Sequence, residues 1–296
     1  MDSSWNIAGH KKQIEFLSNS IRSGKLAHAY LFAGPESVGK RTVAERFIQI
    51  LLCQNSNACN QCGQCRTFIQ KANADYISVS DPAKIKIEEV RELIYKLSLK
   101  PYMARYKAAI IDGAESMTTE AGNALLKSLE EPKPYTVIIL VSSAPNKLPR
   151  TILSRVQKIN FGLVDQSEYR HLISDVSEEK QKLIAEYSGG RPGLAVNIQR
   201  DDEFAQQLSE LEVSYEIFRN SGISERLQLA LRIADLETVQ IAQHLEFFMN
   251  RLNSELLANA EKKTAGILSR TSQARQYIAQ NANSKLLLFD LMLKTQ

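Results

Sequence analysis

Ala29-Tyr30-Leu31-Phe32-Ala33-Gly34-Pro35-Glu36-Ser37-Val38-Gly39-Lys40-Arg41-Thr42 decides the fold, because it runs from a short apolar strand through a glycine loop into a helical pattern. That order is the context a phosphate-binding loop requires. Glycine lets backbone N–H groups curl around a phosphate, and the following helix N-terminus favours its negative charge. Gly34, Pro35, Glu36, Ser37, Val38, Gly39, Lys40 and Thr42 are the candidate nucleotide-binding residues of this stretch. After the lysine, where Ser or Thr would ligate Mg²⁺, stands Arg41, a permanent cation that repels a metal. Thr42 is no simple substitute, since one residue along a helix turns the side chain by about 100°. The loop keeps the means to hold ATP or ADP and loses efficient hydrolysis; a glycine turn without ligand is the alternative.

Working outward, β-rich runs at residues 29–32, 76–79, 108–111 and 136–141 alternate with helical patterns over roughly the first 160 residues. Such alternation predicts βαβ units and a parallel sheet. The third run, Ala108-Ala109-Ile110-Ile111-Asp112, ends in a carboxylate where a second nucleotide motif would hold Mg²⁺. Asp112 joins the candidate nucleotide site, although a strand-terminal turn residue is an equally simple reading. The glutamate that usually follows to position an attacking water is replaced by Gly113, and Glu115 comes only two residues on, past a turn. Thr118 caps a helix whose apolar face is Ala121, Ala124, Leu125 and Leu129, and Pro132 stops it.

Between the first two runs lies Cys53-x5-Cys59-x2-Cys62-x2-Cys65, which holds all 4 cysteines of the chain. Four thiolates so closely spaced match a tetrahedral Zn²⁺ site better than disulfides, with unligated thiols as the alternative. Closed four-coordination leaves no position for substrate, so the zinc is structural. Residues 166–198 carry short helical segments around Gly189-Gly190-Arg191-Pro192-Gly193, a strong turn signal. From about residue 203 onward there is no proline, and the glycines are only Gly222 and Gly266, which predicts an all-helical bundle.

With 296 residues, 44% hydrophobic and 24% charged, the chain can bury two or three cores. A net charge of +4 is too small to argue for nucleic-acid binding on electrostatics alone. No apolar run approaches the roughly 20 residues of a membrane helix, and the first residues show no secretory pattern. The cytoplasm is the expected compartment, with no membrane partner.

Taken in order, residues 28–35, the cysteine insert, Ile110-Ile111-Asp112, Asn123-Ala124-Leu125-Leu126-Lys127-Ser128-Leu129-Glu130-Glu131-Pro132 and Thr151-Ile152-Leu153-Ser154-Arg155 resemble a bacterial clamp-loader AAA+ subunit of DNA polymerase III. The resemblance covers roughly residues 5–200. Catalytic gamma/tau subunits carry Gly-Lys-Thr or Gly-Lys-Ser, an Asp-Glu pair and a sensor arginine in the middle domain. Here stand Gly39-Lys40-Arg41, Asp112-Gly113, and an Arg191 placed too early, and the long C-terminal extension of tau is missing. The chain is most similar to the delta-prime type.

That resemblance implies an α/β AAA+ P-loop domain over 1–163 with the zinc module at 53–65, a small helical lid over 164–201, and a helical collar over 202–296. It implies the catalytic gamma/tau and delta subunits as partners, with the sliding clamp (beta) and primed DNA reached through the complex at the nucleoid-associated replisome. Arg155 is then an arginine finger serving a neighbouring subunit's ATP site; the family's Ser-Arg-Cys reads Ser154-Arg155-Val156 here, so the role passes to the arginine alone. An ATPase working through Lys40, Thr42 and Asp112 is the first competing function, disfavoured by Arg41 and Gly113. A zinc-containing DNA-binding protein unrelated to clamp loading is the second, disfavoured by the near-neutral charge.

Overall fold

The computed structural model describes residues 5–81, 83–280 and 282–294. Its contacts divide the chain into two units, Met1–Tyr169 and Arg170–Gln296.

The first unit runs α1 (Lys11–Ser23), β1 (Ala29–Ala33), α2 (Lys40–Leu52), α3 (Gly63–Ile69), β2 (Tyr76–Ser80), α4 (Ile87–Ser98), β3 (Lys107–Asp112), α5 (Thr119–Glu130), β4 (Thr136–Ser142), α6 (Arg150–Leu153), β5 (Gln157–Asn160) and α7 (Gln166–Tyr169). The strands form one five-stranded parallel sheet in the order β2-β3-β4-β1-β5. All four strands expected from the sequence are present. Every residue of β1 and β4 is buried, as a strand covered on both faces should be, which is why both read as unbroken apolar runs. Side chains alternate between faces: Tyr30 and Phe32 enter a core with Ile14, Leu17, Val43 and Phe47 of α1 and α2. Ala29, Leu31 and Ala33 enter the opposite core with Leu93 of α4 and Ala121, Leu125 and Leu129 of α5. Thr118 caps α5 as expected, its hydroxyl accepting from the Ala121 N–H at 3.1 Å.

β5 was not among the expected strands. It is an edge strand of four residues in which only Ile159 is buried, so it lacks the apolar run that marks the others. Its pairing to β1 nevertheless sets the topology: the chain leaves β1 toward β2 at one edge and returns from β4 to β5 at the other. A parallel sheet opens its ligand crevice at such a reversal, at the carboxyl ends of the strands.

The second unit is helical: a 3₁₀ turn (Arg170–Ile173), α8 (Glu178–Ser188), α9 (Pro192–Arg200), α10 (Asp202–Asn220), α11 (Ile223–Ala234), α12 (Thr238–Asn259), α13 (Lys262–Ala279) and α14 (Ser284–Leu293). Pro192 takes the first turn of α9, where its missing N–H costs nothing. The bundle closes on packed rings, with Phe218 and Phe248 stacked at 4.6 Å between centroids and Tyr215 tilted against Phe248 at 5.6 Å. Beside them Arg251 pairs with Glu186 of α8 and Glu212 of α10, and Arg219 with Glu255.

Candidate nucleotide site and cysteine cluster

The loop after β1 has the backbone that its glycines were expected to allow. Gly34 has φ +156°, and a Cβ there would lie 2.1 Å from the Phe161 carbonyl oxygen, so no side chain fits. Gly39 starts α2 at φ +103°, again a conformation that L side chains rarely adopt. Lys40, 6% exposed, curls back so that its Nζ donates to the Gly34 and Pro35 carbonyls at 2.7 and 2.5 Å. Burial holds the Lys40 pKa below its usual value, against the opposing pull of Glu115, Asp112 and Glu36. His10, at the start of α1, bonds its Nε2 to the Val38 carbonyl at 2.7 Å and braces the loop from behind.

The structure brings Arg41 and Asp112 together. The Arg41 Nη1 donates to Asp112 Oδ2 at 3.0 Å and its Nε to Glu45 Oε1 at 2.9 Å. The pair thus joins the two positions that would share a metal in a hydrolysing site. A divalent cation needs oxygen ligands, and here one of the two positions is a guanidinium that already occupies the other's carboxylate. These residues do not fit Mg²⁺. Thr42 and Arg41 both border an open cavity of about 690 Å³ beside α2, lined also by Trp5, Phe68 and Tyr76.

Sequence reasoning left Glu115 without a role. Gly113, at φ +71°, starts a 3₁₀ turn (Ala114–Ser116) that carries Glu115 back to the end of β4. There its Oε1 accepts from the Ser143 N–H at 2.8 Å and from the Ser143 hydroxyl at 2.5 Å. Burial works to raise this carboxyl, but the Ser143 hydroxyl, the backbone N–H groups and Ser142 outweigh it and hold it below the usual range. So placed it is a poor proton acceptor. Glu115, Asp112 and Glu36 therefore act on the buried Lys40, while Glu45 and Asp112 pair with Arg41.

Arg155 lies just past α6. Its Nη1 donates to the Thr151 carbonyl at 2.9 Å and to the Ser154 hydroxyl at 3.0 Å, and its Nη2 pairs with Glu130 Oε1 at 2.8 Å. Both side chains are substantially exposed, 34% and 50%, so the ion pair is worth at most about 1 kcal/mol and is cheap to exchange.

The four cysteines form one cluster, their sulfurs all within 4.8 Å of one another. A tetrahedral Zn²⁺ with Zn–S near 2.3 Å needs sulfurs roughly 3.8 Å apart; Cys53–Cys59 and Cys53–Cys62 stand at 3.6 and 3.9 Å. Cys53 ends α2 and Cys62 caps α3. The N–H groups of Cys62 and Cys65 point at the sulfurs of Cys59 and Cys62, both at 3.4 Å. Burial raises the Cys53 thiol, yet backbone N–H groups of Cys59, Asn57 and Asn55 bring it down to about 6. The donor set and spacing fit a metal ion and are consistent with zinc.

Residues 9–165, more than half of the chain, match the model of the family described as DNA polymerase III, delta subunit. The chain is 33% identical over 178 residues to the DNA polymerase III subunit tau/gamma of Haemophilus influenzae, covering 59% of this chain and 26% of that one. It is 32% identical over 209 residues to the DNA polymerase III subunit delta' of Bacillus subtilis, covering 69% and 63%. The chain thus spans less than two thirds of either relative. A solved structure of a Thermotoga maritima RuvB variant aligns with a TM-score of 0.50 at 16% identity, over 82% of this chain and 88% of that one, which is a likeness of fold. Among the described residues no helix is long and apolar enough to cross a membrane.

Proposed function

The chain belongs to the DNA polymerase III delta-subunit family, and on that premise we propose that it is a delta-prime-like subunit of the clamp loader with little or no ATPase activity of its own. The observation that carries this reading is the Arg41–Asp112 ion pair at the place of the catalytic metal. Gly113 removes the water-positioning carboxylate beside it, and the hydrogen bonds to Ser143 make Glu115 a weak replacement. Arg155 serves a neighbouring subunit's ATP site in trans, leaving Glu130 for the γ-phosphate. The catalytic gamma/tau and delta subunits are its partners, and through them it helps set the sliding clamp (beta) on primed DNA. Residues 53–65 hold a structural Zn²⁺, residues 164–201 act as a lid and residues 202–296 as the oligomerising collar of a cytoplasmic, nucleoid-associated assembly.

The test is ATP turnover by the isolated chain against turnover by the reconstituted complex. Background turnover alone, with a complex that depends on Arg155, supports the reading. A catalytic gamma/tau-like subunit is the second reading, favoured by the 33% identity to a tau/gamma chain. Turnover by the isolated chain at roughly 1 s⁻¹ or more, as for ordinary enzymes, would establish it instead.

A further inference from the structure

The cavity of about 690 Å³ beside α2 is distinct from the phosphate loop, since none of residues 34–40 lines it. Its walls are α2, α3 with Asn60 of the cysteine module, the segment around Trp5, and the strand β2. We propose that this cavity and the open edge of β2 together dock an extended acidic segment of a partner protein, which adds to the edge and seats one large apolar side chain in the cavity. Such docking needs no nucleotide at residues 34–42.

Charge selects the sign of the guest. Arg41, Arg46 and Lys71 line the cavity with one carboxylate, Glu45. Arg41 is already compensated, because Glu45 and Asp112 both pair with it. Arg46 is not: its Nη1 donates to the neutral Gln49 Oε1 at 2.8 Å, and Gln49 in turn donates to Asn60 Oδ1 at 2.8 Å. Among the described residues neither Arg46 nor the exposed Lys71 pairs with a carboxylate. Both uncompensated charges are positive, so carboxylates complement them. Between them lies apolar surface: the Phe68 and Tyr76 rings pack at 4.7 Å between centroids, and Ile69 is 58% exposed. The volume suits one large side chain and its flanks.

The backbone selects the shape of the guest. β2 ends the sheet order and, among the described residues, pairs only with β3. The Asp75 carbonyl accepts from the Ala108 N–H, so along the strand the odd-numbered Ile77 and Val79 face β3 while Tyr76, Ser78 and Ser80 turn their N–H and C=O groups outward. Tyr76 gives its N–H to the Asn73 carbonyl, which leaves Ser78 with a donor and an acceptor at the edge. Tyr76 and Ser78 also line the cavity, so a strand added at this edge runs along its rim. Side chains of that strand alternate, and every second one faces the cavity. The complementary pattern is acid, any residue, large apolar residue, any residue, acid. A nucleic-acid strand brings negative charge but no amide ladder to match Ser78.

The experiment is fluorescence-anisotropy titration of the full-length chain with a labelled, end-capped peptide of core Asp-Thr-Phe-Thr-Asp. The comparators are the Lys-Thr-Phe-Thr-Lys version, the acidic peptide with every second nitrogen N-methylated in either phase, and labelled oligothymidylate. The expected result is saturable binding of the acidic peptide, about tenfold or more tighter than of the lysine version, weakened by salt and abolished by N-methylation in one phase. Arg46→Gln with Lys71→Gln should weaken it by about tenfold. Ser78→Pro, which an edge strand tolerates because that N–H faces outward, should abolish it. Melting curves like that of the parent show that both variants fold. The proposal is overturned by no saturable binding up to about 1 mM, by equal affinity for the lysine peptide, or by either folded variant binding as the parent does. It is overturned equally by tighter binding of oligothymidylate that the Arg46 and Lys71 changes remove, which assigns the face to nucleic acid, and by self-association that they remove, which assigns it to a second copy.

Discussion

Arg41 and Gly113 were legible in the sequence because each replaces one position of a contiguous motif whose neighbours are intact. The partnership of Arg41 with Asp112 was not, since the two are 71 residues apart and meet only through the sheet. Glu115 and Ser143 are 28 residues apart and meet through the register of β3 on β4, with no local pattern to mark them. If missing chemistry is what silences the site, restoring both positions should revive it. Arg41→Thr with Gly113→Glu is expected to raise phosphate release at least about tenfold above the wild-type background, measured colorimetrically at saturating Mg²⁺–ATP. Turnover still at background would mean that the loop itself, with Lys40 held on its own carbonyls, is closed to nucleotide.

At the scale of elements, the cysteine module was readable from spacing alone, because metal geometry restricts spacing and no other cysteine competes. Freshly purified, reduced protein should contain about one zinc per chain, checked by elemental analysis; well under one contradicts the assignment. Stripping the metal should loosen residues 53–65 and spare the sheet, visible as faster amide exchange confined to the module. A second local device had no sequence signal. Asp75, 1% exposed just before β2, accepts backbone N–H groups from Tyr102 at 2.7 Å, Met103 at 3.0 Å and Ala104 at 2.9 Å, and faces buried Lys107 at 3.8 Å. It pins residues 102–104 of the connection from α4 into β3. Asp75→Ala would leave the Lys107 charge buried without its partner, at a cost of about 3–5 kcal/mol in urea unfolding. A loss below about 1 kcal/mol would show that water replaces the carboxylate.

At the scale of the whole molecule, breakers and periodicity made the α/β and helical halves legible, since Pro192 is the last proline and the described residues beyond it are mostly helical. Where the second half divides was harder to read. Asn250 of α12 donates to the Tyr187 carbonyl of α8 at 2.8 Å, and Arg191 pairs with Glu246. Such cross-links between distant segments leave no trace in composition. The proposed role likewise belongs to an assembly, because the proposed nucleotide site lacks both metal ligand and base, while the ion pair of the half-exposed Arg155 with Glu130 is readily exchanged. Phosphoryl transfer gathers charge on the γ-phosphate oxygens, and an arginine from a neighbour can speed it by roughly 10³–10⁵. The loss here should be smaller, since other sites keep their own arginines, and lysine should rescue poorly because it lacks the planar fork. The direct measurement is steady-state ATPase, stimulated by DNA and clamp, of a reconstituted complex carrying Arg155 or Arg155→Ala, with assembly checked by gel filtration. The account predicts an assembled complex with slower turnover; equal rates in two fully assembled complexes would contradict it and leave Arg155 a surface charge.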